Sequence, residues 1–251
     1  MIRSEAKLLV CIPGTPKNDV TWAYARITRA YAQYLHDLLG GEINYAPISA
    51  KEDVTHIKQA AVNCDLVVLG EPEQLGLERP LTGHPYEKFV TRLPTSFLWA
   101  RRPRYPIQNI LLILRLEKTD DAALEWGARI AKPSGATITI LPIVPSLPVM
   151  YSLGNRIQTG LDMLLSSNTP AGQHLRRLAK RMAGWQVNSD LHLRQGEPEL
   201  QIREEVAEGA YDLIVIGAES YGRLQRLLLG ELVGSMLHWV ERPLLIARSF
   251  S

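Results

Sequence analysis

Cysteine is nearly absent. Cys11 and Cys64 are the only two in 251 residues, and they form no CxxC. That excludes a disulfide framework or a thiolate metal site as the organising device, and the chain reads as a reduced, cytoplasmic protein. Long apolar runs are missing as well. The stretches 110–114 and 213–216 fall far short of the roughly 20 residues of a membrane span, so no membrane partner is expected. Residues 1–7 are polar and lead straight into a strand-like run, which speaks against a secretory signal. Charge of one sign is lacking too: a formal net charge of +2 does not mark nucleic acid or an acidic surface as the main partner. Catalytic spacings are also missing. The histidines (His36, His56, His84, His174, His192 and His238) form neither HxxH nor HExxH, and there is no GxSxG. No metal and no catalytic residue are therefore expected. Asp120-Asp121 and Glu204-Glu205 are adjacent pairs, which do not share a helix face, and they read as solvated.

What is present is alternation. NILLIL at 109–114 is a short apolar run of the kind buried on both faces of a parallel sheet. Thr119 and Asp120 can cap the following helix, on which Ala123, Trp126 and Ile130 recur at helical spacing. A second strand spans 135–141, and 145–172, rich in Pro, Gly, Ser and Asn, reads as a loop with some helix. HLRRLAKRM at 174–182 is an amphipathic helix, and 190–193 a third short strand. Gly196-Glu197-Pro198 opens another helix. DLIVIG at 212–217 is the fourth strand, and a helix near 231–240 leads to the last strand at 244–248. Such βαβ alternation predicts a parallel sheet with helices on both faces and ligands at the carboxyl ends of its strands.

The first half repeats the second. DLVVLG at 65–70 matches DLIVIG at 212–217. Without a gap, Leu77 falls on Leu224, Arg79 on Arg226, Leu81 on Leu228 and Gly83 on Gly230. Leu98, Ala100 and Arg101 then fall on Leu245, Ala247 and Arg248. Residues 8–12 correspond to 110–114, and a helix over roughly 20–39 follows the first of them. The expected domains are 1–105 and 106–251, joined by the proline-stiffened linker Arg102-Pro103-Arg104-Tyr105-Pro106. Its basic residues read as solvated linker rather than as an anion site.

On these features (ILLIL, Gly196-Glu197-Pro198, DLIVIG and the tail from 217 to 248) the second half resembles the universal stress protein family, and the first half resembles a degenerate copy of it. The resemblance implies an α/β fold with two doubly wound, mainly parallel, five-stranded sheets related by a pseudo-twofold, with the terminal strands pairing across it. The ATP-binding branch of that family carries G-2x-G-9x-G-[S/T], whose glycines bring backbone N–H groups up to phosphate oxygens. Here Gly217 and Gly230 keep the outer positions, Ser220 takes the middle one and Glu231 replaces the hydroxyl residue. In the first half Gly70 and Gly83 match, while Glu73 and His84 are the departures. A carboxylate facing a phosphate pocket repels the ligand. The acidic residue that relatives carry after the first strand falls on Arg115.

The candidate cleft is therefore Arg115, Val144, Gly217, Ser220, Gly222, Arg223, Gly230 and Glu231. Gly222 could stand in for the missing glycine, Arg223 could receive an anion, and Arg115 could pair with Glu231 or bind an anionic ligand. The reading is a non-enzymatic stress-response or regulatory protein whose cleft binds a small anionic or nucleotide ligand, or supports a protein partner, without tight ATP binding. The alternative is an ATP-dependent switch with slow hydrolysis, with ATP or AMP as the ligand. Either a monomer with an internal pseudo-dimer or a homodimer is compatible with the duplication.

Overall fold

The structure, a computed structural model, describes residues 5–13, 19–48, 54–70, 93–116, 120–144, 156–218 and 226–249. Its elements in chain order are β1 (Ala6–Pro13), α1 (Asp19–Leu39), β2 (Gly41–Ile48), α2 (Val54–Ala61), β3 (Leu66–Leu69) and β4 (Ser96–Trp99). After the linker come β5 (Asn109–Leu114), α3 (Asp120–Ser134), β6 (Thr137–Val144), α4 (Arg156–Ser166), α5 (Pro170–Trp185), β7 (Ser189–Leu191) and β8 (Arg194–Gln195). The chain closes with α6 (Pro198–Glu208), β9 (Leu213–Gly217), α7 (Arg226–Trp239) and β10 (Leu244–Ala247).

All ten strands among the described residues belong to one sheet, in the order β2-β1-β3-β4-β10-β9-β5-β6-β7, with β8 pairing β6. Every pairing is parallel except β4 with β10. The α/β reading with a mainly parallel sheet is what forms. The two sheets are joined into one, because the short terminal strands pair with each other at the seam. Among the described residues the first half supplies four strands rather than five. There β2 is followed by α2 and then β3, without the α4, α5 and β7 of the second half.

Helices on both faces explain why the central strands are apolar without alternation. On one side Leu8, Val10, Ile110, Leu112, Val215 and Leu245 form a core with Tyr31 and Leu35 of α1 and Trp126 and Ile130 of α3. On the other, Leu9, Cys11, Leu111, Ile113, Ile214 and Ile216 pack with Ile202 of α6 and Met236 of α7. The two sets are alternate residues of the same strands, as the pleat requires.

Several local signals act as read. Glu197 caps α6, accepting hydrogen bonds from the N–H groups of Glu199 (3.0 Å) and Leu200 (2.7 Å), with Pro198 in the first turn. Gly196 has φ 138°, open to glycine and costly for any other residue. The stretch read as a loop with some helix contains α4, after which Thr169 caps α5 by accepting from Gly172 N at 3.2 Å. One expectation needs adjusting. The helix expected near 231 begins at Arg226.

Strand registers coincide between the halves. Leu8 pairs Leu66 in β1·β3 as Ile110 pairs Leu213 in β5·β9, and Val67 pairs Phe97 as Ile214 pairs Leu244. Asp65 accepts from Lys7 N at 2.8 Å, and Asp212 from Asn109 N at 3.0 Å. Between the halves Leu98 pairs Leu245 at the centre of β4·β10. Ser96 stitches the seam: its Oγ accepts from Trp126 Nε1 (2.8 Å) and Arg248 N (3.0 Å), both buried.

Candidate functional site

In the second half β5 runs to β6 and β7 on one side and the chain returns through β9 to β10 on the other, so strand order reverses between β5 and β9. The crevice outside the carboxyl ends of these two strands is where such sheets hold ligands. Ile113 pairs Ile216, so Arg115 follows β5 and Gly217 ends β9 on neighbouring strands. Val144 ends β6 beyond Pro142, the partner of Leu114. It pairs Gln195 of β8, and its carbonyl accepts from Gly196 N at 3.0 Å. The fold thus brings Arg115, Val144 and Gly217 to one end of the sheet.

Arg115 is anchored from below. Its backbone N–H donates to Asp120 Oδ1 at 3.0 Å, and Asp120 is fully buried at the start of α3. The other oxygen, Asp120 Oδ2, lies 3.1 Å from His174 Nε2 of α5, and His174 Nδ1 lies 2.7 Å from an Arg177 nitrogen. A guanidinium only donates, so Nδ1 accepts from Arg177 and the Nε2–H donates to Asp120. The chain Arg177, His174, Asp120, Arg115 N therefore ties α5 to the turn that carries Arg115. Asp121 points outward to Arg181 and to Arg177.

A second polar hub lies on α6. Glu205, 4% exposed, accepts from the Tyr211 hydroxyl (2.5 Å), His192 Nδ1 (3.1 Å) and Arg194 Nε (2.8 Å). Burial alone would raise its pKa, but these three hydrogen bonds outweigh burial and hold the carboxyl below its usual range. Tyr211 is pushed up to about 12, first by burial and then by Glu205.

Residues 106–248 match the family model described as the Universal stress protein family. The chain belongs to the universal stress protein family. A universal stress protein from Mycolicibacterium smegmatis is 26% identical over 144 residues, covering 55% of this chain and 47% of that protein. The chain thus spans about half the length of the curated relative it matches. Among solved structures, a universal stress protein from Archaeoglobus fulgidus has a TM-score of 0.56 at 15% identity, over 96% of this chain and 86% of that one. A putative universal stress protein from Pseudomonas aeruginosa has a TM-score of 0.59 at 15% identity, over 98% and 94%. At such identities the likeness is one of fold.

Within this universal stress protein, the remaining cleft candidates fall as follows. Ser220, Gly222 and Arg223 lie outside the described residues, as do Glu73, Gly83 and His84. Gly230 and Glu231 are the fifth and sixth residues of α7. Only the first four N–H groups of a helix lack an internal partner, so those of Gly230 and Glu231 are committed within α7. No group of His, Cys, Asp and Glu among the described residues could hold a metal ion, and no described helix is long and apolar enough to cross a membrane.

Two readings from sequence are corrected. Asp120 and Glu205 are buried members of hydrogen-bonded clusters rather than solvated carboxylates. Adjacent helical residues diverge by about 100°, so one of each acidic pair turns inward. The available signal was the placement of Asp120 at a helix start directly after a strand end.

Proposed function

We propose that this universal stress protein is a tandem pair in which residues 1–105 form a degenerate copy of the domain formed by 106–251. Support comes from the Leu98–Leu245 pair: positions matched by the ungapped sequence register face each other across the antiparallel ladder, as equivalent residues do at a twofold axis. The coinciding registers on either side point the same way.

The second half, in this reading, is a non-catalytic regulatory domain whose crevice takes a small anionic ligand, with ATP held weakly or not at all. The observation that carries it is Arg115, a cation fixed through its backbone to buried Asp120 beside the end of β9. The Gly217 and Gly230 spacing favours the alternative of an ATP-dependent switch with slow hydrolysis. Ser220, Glu231 and the helical commitment of the Gly230 N–H weigh against it.

The test is a thermal-shift titration with inorganic phosphate and pyrophosphate, after removal of any ligand carried through purification. The expected result is a saturable rise of about 5–10 °C at a hundredfold excess over the dissociation constant, lost in Arg115→Ala. A flat response to both anions would overturn the anion reading and leave the crevice as a surface for a protein partner.

A further inference from the structure

A cavity of about 530 Å³ lies in the first half, away from the crevice of the second. It is bounded by Ile27 and Thr28 of α1, by Ala100 just after β4, and by Arg102, Pro103, Arg104 and Tyr105 of the linker. Its volume falls inside the range of about 300–1,000 Å³ typical of small-molecule sites. It also stands at the carboxyl end of a strand, the end at which sheets of this kind bind ligands.

The linker is held in place as a wall. The Tyr105 ring stacks on Tyr34 at 5.5 Å and on Tyr31 at 6.2 Å, and Ile107 N donates to the Tyr34 hydroxyl at 2.9 Å. Arg101 donates to Val240 O at 2.9 Å, and Arg102 pairs with Glu241 at 2.5 Å. Thr28 is buried against Gly70, so the floor is packed. The described residues around the cavity are otherwise apolar, save for two arginines and the Tyr105 hydroxyl, and none of these residues is a carboxylate. Glu241 neutralises Arg102. Arg104 has no ion-pair partner among the described residues, which leaves one uncompensated guanidinium beside an apolar space with an aromatic side.

We propose that this cavity is a second binding site, for a small ligand that combines a flat apolar body with one anionic group. The body packs between Ile27, Pro103 and the Tyr105 ring, and the anion meets Arg104. The site does not depend on Arg115 or on the glycines of the second half. The linker, read from sequence as a mere connector, is on this account also the wall of a ligand site.

The test uses 8-anilinonaphthalene-1-sulfonate, a planar aromatic carrying one sulfonate, titrated into the full chain by fluorescence and calorimetry. One site per chain is expected, at least tenfold weaker in Arg104→Glu and in Ile27→Trp, whose larger side chain fills the cavity from its rim. Lys180→Glu, an equal change of charge on the exposed face of α5, should leave binding as it was, and so should Arg115→Ala. Equal loss in Lys180→Glu and Arg104→Glu would show diffuse attraction to a basic surface and overturn the proposal. So would unaltered binding in Ile27→Trp. Loss in Arg115→Ala alone would place the probe in the second-half crevice, again overturning it. Circular dichroism of each variant separates these outcomes from misfolding.

Discussion

A Cβ on Gly70 would overlap Thr28 Oγ1, so this glycine is required by the packing of α1 against the end of β3. The same residue type at Gly217 is read as part of a ligand crevice, which shows that a retained glycine can serve two causes. Gly70→Ala should cost about 1–3 kcal/mol in urea unfolding through overpacking. Thr28→Ala in the same chain should recover most of that loss, since the two substitutions share one contact. Simple addition of the two costs would contradict the packing account. Ser96 makes a second residue-scale case: Ser96→Ala leaves the buried Trp126 Nε1–H without its acceptor, for an expected loss of about 1–3 kcal/mol. The Glu205 hub sets the pH response. Because the folded pKa of Glu205 is depressed, its contribution is present above the unfolded value and is lost as pH falls through the folded one. Because that of Tyr211 is raised to about 12, its contribution is lost as pH climbs from about 10 towards 12. Glu205→Gln should flatten the acid limb of a stability–pH profile, and Tyr211→Phe the alkaline limb.

At the scale of elements, the strands were the most legible part of the sequence. Short apolar runs such as NILLIL and DLIVIG become β5 and β9 because they are buried on both faces, and burial of that kind leaves a mark in one dimension. Helix starts with a cap and a proline, at α6, were equally plain. The helix α4 was legible only as some helix within a loop-like stretch, and its bounds were not, since they depend on packing on α5 and on Leu193 and Gln195 near Gly160. The Asp120–His174 bond was hidden for another reason. Its partners are 54 residues apart, and nothing in helical periodicity tells which of two adjacent aspartates turns inward. At the candidate site, the register located Arg115 and Gly217 correctly at neighbouring strand ends, whereas the anchoring of Arg115 by Asp120 required the fold. Asp120→Ala should therefore weaken anion binding together with stability, although Asp120 itself lies beneath the crevice.

For the whole molecule, the antiparallel ladder between β4 and β10 converts two sheets into one, and α1 packs on α3 across the same seam. Cores on both faces run through that seam without interruption. Unfolding followed by tryptophan fluorescence and by far-ultraviolet circular dichroism should consequently give one coincident transition, and separate transitions for the halves would contradict a shared core. The same continuity lets the first half stabilise the frame of the second. The central functional claim is that the frame of the family persists while the phosphate cradle does not. It is tested most directly by a thermal-shift titration of ligand-free protein with ATP and Mg²⁺. At about 1 mM ATP, a dissociation constant of about 1 mM or weaker adds at most about 0.4 kcal/mol, so the account predicts a shift of no more than about 2 °C. A saturable rise of about 5 °C or more would contradict it and make the chain an ATP-binding switch.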